Sequence, residues 1–383
     1  MIRRAAKTRE TLDKDGTAKP AKVWCLLGRK AGDNTQVLAL AETLGWPFEE
    51  KRILARSWEL LPHLLLGPTP MGIDRQASSP LVPPWPDLVI SAGRRNEPVA
   101  RWIRRQAGGG VRLVHVGRPW APPDCYDLIV STPQYFLEPA PNILVNPLPM
   151  HRFTRGRVDA AAERAAPALA QLPRPFTTVL IGGDSGPFVF TPQKGRHLAE
   201  GVNRLVWQTG GSALVTGSPR TSRAVAQAFC DALHVPAQTY WWHERAGANV
   251  QENPYPAFLG LADRFVVTGE SMSMMAEAAS LGRPLYIFDP GDAPGSWWGH
   301  AHNFRHKPLS HALAMRLAPV RMRRDISRIQ DNLVQGGQAR WLNEAPGLIA
   351  DGEGWTEKMR SDPLVGAHQA SERIRALFAS APT

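Results

Sequence analysis

The sequence predicts a two-domain α/β protein, each domain a parallel sheet wrapped by helices, and three observations carry this. The chain runs 383 residues, too long for one ordinary hydrophobic core and suited to two. Its hydrophobic fraction is 43%, enough to fill both. Short apolar runs closed by glycine alternate with helix-period segments in two separate series, from about residues 22 and 178. That alternation is the pattern of doubly wound, Rossmann-like sheets.

The elements follow in order. Residues 1–21 are polar and mixed in charge, which predicts a disordered tail. Val23-Trp24-Cys25-Leu26-Leu27 is an apolar run ended by Gly28, and a helix pattern runs from Thr35 to Leu44. Leu88–Ser91, Val111–Val116 and Asp127–Ser131 read as further strands, with a helix at Pro98–Gln106 between the first two. The first domain is placed at 22–155. An Ala-rich segment and Pro173-Arg174-Pro175 then open the second, placed at 156–345. Its strands are expected at Thr178–Ile181, Ala213–Thr216, Arg264–Thr268 and Pro284–Phe288. Its helices are expected at Gln193–Gly210, Arg223–Leu233 and Met272–Leu281. Residues 346–383 form a tail whose helix, Ala370–Phe378, is expected to cross back to the first domain.

Composition narrows the function. The net charge of +11 points to an anionic partner, although a codon bias toward Arg accounts for it equally well. Three cysteines without metal-ligand spacing fit a reducing compartment. No apolar run is long enough to span a membrane, and the N-terminus lacks a secretory apolar core, so a cytoplasmic location is expected. Nucleic acid is not expected as a partner, because no basic stripe carries interleaved aromatics. A dinucleotide-type epimerase is disfavoured too: Gly28-Arg29-Lys30-Ala31-Gly32 is not a Gly-x-Gly-x-x-Gly turn, and no Tyr-x-x-x-Lys pair is present.

Three clusters in the second domain suit an anion. Gly182-Gly183-Asp184-Ser185-Gly186 follows a strand, where glycines let backbone N–H groups approach a phosphate. The plainer reading is a tight turn. Thr216-Gly217-Ser218-Pro219-Arg220-Thr221 follows the next strand. Arg220 could clamp a phosphate, and Ser218 and Thr221 could either donate to it or cap the following helix. The segment Thr268-Gly269-Glu270-Ser271-Met272-Ser273 ends a strand and opens a helix, whose first N–H groups form an electropositive seat. Glu277, two turns on, suits a ribose diol. Glu270 would repel phosphate unless it turns away or binds a hydroxyl. Ser271 and Ser273 could instead be caps, and Met272 a core residue.

The first domain offers Gly32, Asp33 and Asn34 after one strand, Arg94 and Arg95 after another, and Arg118 after a third. These loops share one sheet edge, and the arginines suit an anionic acceptor. Asp33 could act as a general base or as a helix N-cap. Trp297, Trp298, His300, His302 and His306 lack an acidic or Cys partner, so no metal is expected; the aromatics suit a sugar or a base. Trp58–Leu66 is strongly apolar, beside Lys51, Arg52 and Arg56. It could dock on a membrane or form a buried helix.

Gly32-Asp33-Asn34-Thr35-Gln36, Ser91-Ala92-Gly93-Arg94-Arg95, Asn253-Pro254-Tyr255, Leu261-Ala262-Asp263, Thr268–Met274 and Glu277-Ala278 together resemble the mitochondrial fission Elm-type family, in its bacterial branch. The resemblance runs from about residue 22 to 343. It implies a GT-B-like fold, two Rossmann-like domains facing across a cleft. Glu277-Ala278-Ala279-Ser280-Leu281-Gly282-Arg283-Pro284 also looks like the ribose-binding helix of the lipid-linked N-acetylglucosaminyltransferase of peptidoglycan synthesis, which implies that Glu277 holds a ribose. The chain departs from the family at Glu270, where Asp is usual. It departs again at Ser131-Thr132-Pro133-Gln134-Tyr135, which stands where Pro-x-His-Asp is usual, so a base carried there would be lost or moved elsewhere.

The expected function is a metal-independent, cofactor-free glycosyltransferase. A nucleotide-diphosphate sugar would bind Gly182, Gly183, Ser185, Ser218, Arg220, Glu270, Ser271, Met272, Ser273 and Glu277. An anionic or lipid-linked acceptor would bind Gly32, Asn34, Arg94, Arg95 and Arg118, with Asp33 as base and a possible peripheral contact with the inner membrane face. The alternative is a non-catalytic adaptor on the same fold, peripheral to a membrane.

Overall fold

The computed structural model describes residues 20–56, 67–185, 188–245, 253–291, 323–344 and 364–379, with a few positions between 313 and 320. The expected N-terminal tail, the Trp58–Leu66 segment, Gly186 and the Trp/His loop at 297–306 lie outside the described residues. The chain forms two compact units. Unit 1 comprises residues 1–152, 319–324 and 364–383; unit 2 comprises 153–318 and 325–363.

Unit 1 runs β1 (Val23–Leu27), α1 (Ala31–Leu44), β2 (Phe48–Arg52), β3 (Leu88–Ala92), α2 (Gly93–Gln106), β4 (Arg112–Val116), β5 (Leu128–Ser131) and β6 (Ile143–Val145). All strand pairs are parallel, in the order β2-β1-β3-β4-β5-β6. A parallel sheet is covered on both faces, so its strands read as unbroken apolar runs. In β1, Val23, Cys25 and Leu27 pack on one face with α1, while Trp24 and Leu26 pack on the other with Val99 and Ile103 of α2. The C-terminal helix of the chain also belongs to unit 1, and its Ala367, Ala370 and Ile374 enter the α1 face.

Unit 2 runs α3 (Arg155–Ala165), β7 (Phe176–Ile181), α4 (Pro192–Thr209), β8 (Ser212–Gly217), α5 (Arg223–Ala232), β9 (Ala237–Tyr240), α6 (Tyr255–Leu261), β10 (Arg264–Thr268), α7 (Met272–Ser280), β11 (Leu285–Phe288), α8 (Ser327–Gln335) and β12 (Arg340–Trp341). The C-terminal helix of unit 1 is α9 (Val365–Ala379). The second sheet is parallel, in the order β12-β11-β10-β7-β8-β9. Val179 and Ile181 of β7 pack with Leu198, Val202 and Leu205 of α4, and Phe176 packs with Phe258 and Leu261 of α6.

Two elements differ instructively from expectation. α2 starts at Gly93, five residues before Pro98. A proline inside a helix forfeits the bond to the carbonyl four residues earlier, here that of Arg94, an exposed residue near the helix start. β2, Phe-Glu-Glu-Lys-Arg, has no apolar run because it is an edge strand with one buried residue, Lys51. The Lys51 ammonium lies 4.4 Å from the Trp24 ring centroid and pairs with Glu49. Among the described residues, no helix is long and apolar enough to cross a membrane.

Candidate functional site

In unit 2 the strand order reverses between β7 and β10, and open α/β sheets bind ligands beyond the carboxyl ends of strands at such a point. The loops after these two strands are tied together. The Gly182 amide donates to Thr268 Oγ1 at 2.8 Å, and the Gly183 amide donates to Glu270 Oε1 at 2.7 Å. The Thr268 hydroxyl donates to the same Glu270 oxygen at 3.0 Å. Glu270 is therefore turned inward, 1% exposed, beneath the glycine loop. Burial pushes its carboxyl above the usual range, against the hydrogen bond from Gly183. Two amides expected to face a ligand are thus spent within the protein. A Cβ at Gly182 would fall 2.0 Å from Glu270 Oε1, so only glycine fits over the inward carboxylate.

The next loop is knitted onto the first. Ser218 Oγ donates to the Gly182 carbonyl at 2.8 Å, and Thr221 Oγ1 donates to the Ile181 carbonyl at 3.1 Å. Neither caps α5; Ser222 does, accepting from the Val225 amide at 3.3 Å. Arg220 reaches back across the loop. Its Nη1 donates to the carbonyls of Gly183 at 3.2 Å and Asp184 at 3.0 Å, and its Nη2 to Ser271 Oγ at 3.5 Å. Ser185 exchanges backbone hydrogen bonds with Phe188.

Ser271 is the N-cap of α7, but its side chain caps no amide, and the first turn holds no acid. By contrast α4 and α5, in the same unit, are capped by Thr191 and Ser222. The positive end of α7 is thus left for something other than its own side chains, with the Arg220 guanidinium against it. Met272 is buried in the core and Ser273 is half-buried. Glu277, 7% exposed, accepts from the Tyr255 hydroxyl. Burial pushes the Glu277 carboxyl up to about 7, against the pull of the Tyr255 bond. The Tyr255 ring is braced by Phe153, with centroids 5.7 Å apart.

In unit 1 the order reverses between β1 and β3. Asn34 closes the loop after β1: it accepts from the Gly28 amide and donates to the Gly28 carbonyl, each at 2.8 Å. Asn34 is therefore a structural clamp. Gly32 and Asp33 lie in the first turn of α1, whose N-cap is Lys30, so Asp33 is not the cap. Asp33 Oδ2 lies 2.9 Å from where a Cβ of Gly93 would stand. With φ of +72° there, glycine is required twice over. Arg94 lies over the Trp120 ring at 5.0 Å, Arg118 lies over the Tyr135 ring at 5.7 Å, and Arg95 is exposed.

Sequence reasoning missed several residues of these sites. Thr268 and Gln330 hold the β10 loop, Gln330 through Nε2 to the Gly269 carbonyl at 2.8 Å. Arg324 lies over Tyr135 at 5.9 Å. Thr268 and Tyr255 had a sequence signal, their places in the Thr268–Ser273 segment and in Asn253-Pro254-Tyr255, but not these roles; Gln330 and Arg324 arrive through tertiary contacts alone. Among the described residues, no group of three or more His, Cys, Asp or Glu could hold a metal.

The sequence matches the family model described as Mitochondrial fission ELM1 over residues 31–378. It is 24% identical over 302 residues to the uncharacterized protein RP120 of Rickettsia prowazekii (strain Madrid E), covering 70% of this chain and 83% of that one. It is also 24% identical over 224 residues to the mitochondrial fission protein ELM1 of Arabidopsis thaliana, covering 53% of this chain and 51% of that protein. Similar solved structures include a glycosyltransferase from Rickettsia africae ESF-5, at 10% identity and a TM-score of 0.46, covering 94% of this chain and 100% of that one. Another is a UDP-GlcNAc 2-epimerase from Neisseria meningitidis bound to UDP-GlcNAc, at 13% identity and the same TM-score of 0.46, again covering 94% and 100%. The match to the family model spans nearly the whole chain, and the chain belongs to the mitochondrial fission ELM1 family.

Proposed function

We propose that the protein is a glycosyltransferase that binds a nucleoside-diphosphate sugar in unit 2 and its acceptor in unit 1. The observation that carries the donor half is the uncapped N-terminus of α7, with Arg220 bonded to Ser271 and to the β7 loop. A leaving diphosphate needs electrostatic stabilisation, and a helix N-terminus plus a guanidinium supplies it without a metal. Glu277, held by Tyr255, accepts hydrogen bonds from the ribose hydroxyls. Glu270 contributes by shaping the glycine loop from below, since its inward turn removes the repulsion its charge would otherwise exert. In unit 1, Asp33 is the general base, half-buried beside the strand-end arginines.

A thermal-shift screen with UDP, GDP, ADP, CMP and their sugars tests the donor site. Saturation at a hundredfold over the dissociation constant adds about 2.7 kcal/mol of stability. One nucleotide should stabilise the wild type and leave Glu277→Ala and Arg220→Gln unshifted. The absence of any shift would favour a non-catalytic adaptor. A carboxylate accepts from a diol better than a carboxylic acid does, so nucleotide affinity should fall as pH drops through about 7, where Glu277 protonates.

A further inference from the structure

We propose that the outer face of α4 in unit 2 is a self-association surface, through which two copies of the chain pair across a two-fold axis. The proposal uses no residue of the donor or acceptor sites and stands apart from the transferase reading.

Helix periodicity builds the face. α4 buries Leu198, Ala199, Val202, Leu205 and Val206 in the core of unit 2 and leaves Arg196, Glu200, Arg204 and Trp207 exposed. At about 100° per residue these four fall within a stripe about 80° wide. Trp207 is 64% exposed, the most exposed tryptophan among the described residues. It forgoes the burial that makes this side chain a frequent anchor of protein interfaces. Among the described residues, Arg196, Glu200 and Arg204 make no hydrogen bond or ion pair, although Glu200 and Arg204 stand four apart on the helix. Beside the stripe a cavity of about 450 Å³ opens between α4 and the C-terminal end of α5, with Trp207, Arg204, Asp231 and His234 in its wall. Asn203, 2% exposed, holds that wall: its Nδ2 donates to the Ala232 carbonyl at 2.7 Å, and its Oδ1 accepts from the His234 amide at 2.9 Å. The recess is fixed before any partner arrives.

Charge selects the occupant. The chain carries a net charge of +11, yet this face sets Arg196 and Arg204 beside two carboxylates, Glu200 and Asp231. A strongly acidic partner is opposed by the carboxylates and a strongly basic one by the arginines. A partner with the same mixture fits, provided the order of charges matches. The order along α4 is complementary to its own reverse. With two copies antiparallel about an axis midway between Glu200 and Arg204, each Arg204 faces the second copy's Glu200. The midpoint of Arg196 and Trp207 lies half a residue from that axis, about 0.8 Å along a helix. The same rotation therefore brings each Trp207 to the level of the second copy's Arg196, where a guanidinium can lie over an indole. Near-coincidence of the two midpoints is what an isologous contact requires, since every pair must occur twice. Tryptophan burial supplies the affinity. The ion pairs fix the register, because exposed pairs contribute little by themselves.

Sedimentation equilibrium of the full-length protein from about 1 to 200 μM tests the proposal. The average mass should rise with concentration from that of one chain toward twice that value. Trp207→Ser should weaken association about thirtyfold, as for loss of an interface anchor. Glu200→Arg and Arg204→Glu should each leave a monomer, since either change sets like charges at both symmetry-related pairs. Mixing these two variants in equal amounts should restore a dimer, since each position 204 then again faces an opposite charge at position 200. Variants that failed to fold could not rescue one another in this way. A monomer at every concentration overturns the proposal. A dimer that survives Trp207→Ser and both charge reversals overturns it too, as does a mixture no more associated than its components.

Discussion

The loop after the first strand of each unit occupies the same topological place, yet the two are built from opposite chemistry. In unit 1, Gly28 is held by the neutral amide of Asn34, and Asn96 Nδ2 donates to the Leu26 carbonyl at 3.0 Å. In unit 2, Gly182 and Gly183 are held by Thr268 and a buried carboxylate, Glu270. The neutral clamp places no carboxylate on the glycine of the unit 1 loop. The carboxylate clamp turns its charge inward, beneath a loop that Arg220 ties to Ser271 at the start of α7. One topology is thus held by two different clamps.

The largest effect expected from this contrast is steric. Gly182→Ala drives a Cβ to 2.0 Å from Glu270 Oε1, displacing the carboxylate from the Gly183 amide. Overpacking with loss of a buried hydrogen bond should cost about 3 kcal/mol, read by urea unfolding. In Gly28→Ala the new Cβ meets Asn96 Nδ2 at 3.4 Å, an ordinary contact, and the cost should be under about 1 kcal/mol. Equal costs would break the comparison.

Acid should also separate the units. Burial pushes His115 and His151 of unit 1 down to about 4 from 6.5. The unfolded chain then binds more protons than the folded one between those values. Stability is lost as pH falls below about 6.5, by about 2 kcal/mol per histidine at pH 5. Glu270 and Glu277 of unit 2 are raised, so their folded forms bind the extra protons and unit 2 gains stability on acidification toward about 4.5. Hydrogen exchange at pH 7 and pH 5 should show protection falling in β3 and β4 and holding in β7 and β10.

Smaller effects sharpen the picture within unit 2. Ser222→Ala removes a working cap and should cost about 1 kcal/mol in unfolding. Ser271→Ala removes no cap bond, so stability should barely change while nucleotide affinity falls. Tyr255→Phe removes a bond that lowers the Glu277 carboxyl, so the midpoint of pH-dependent nucleotide binding should rise above about 7. An unchanged midpoint would detach Glu277 from the nucleotide.

Much of both sheets is legible along the chain. β10 is legible at both ends because a fully buried parallel strand must be a continuous apolar run between turns. β12 and β6 are not, because edge strands bury few side chains and carry little pattern. The positions of Gly182, Arg220 and Ser271 in loops after strands also follow from local order, since a loop after a parallel strand lies on the carboxyl edge.

What the sequence determined by itself is therefore the set of local facts: two α/β series, buried strand cores, glycine loops and helix starts. These rest on periodicity and on backbone freedom, which act within a few residues. Only the tertiary structure decided how the polar groups are spent. It turned Glu270 under its own loop, made Asn34 a clamp, joined Tyr255 to Glu277, and brought Arg324 onto Tyr135 from 190 residues beyond Gln134. Such pairings depend on which side chains share a buried volume, and no spacing along the chain encodes that.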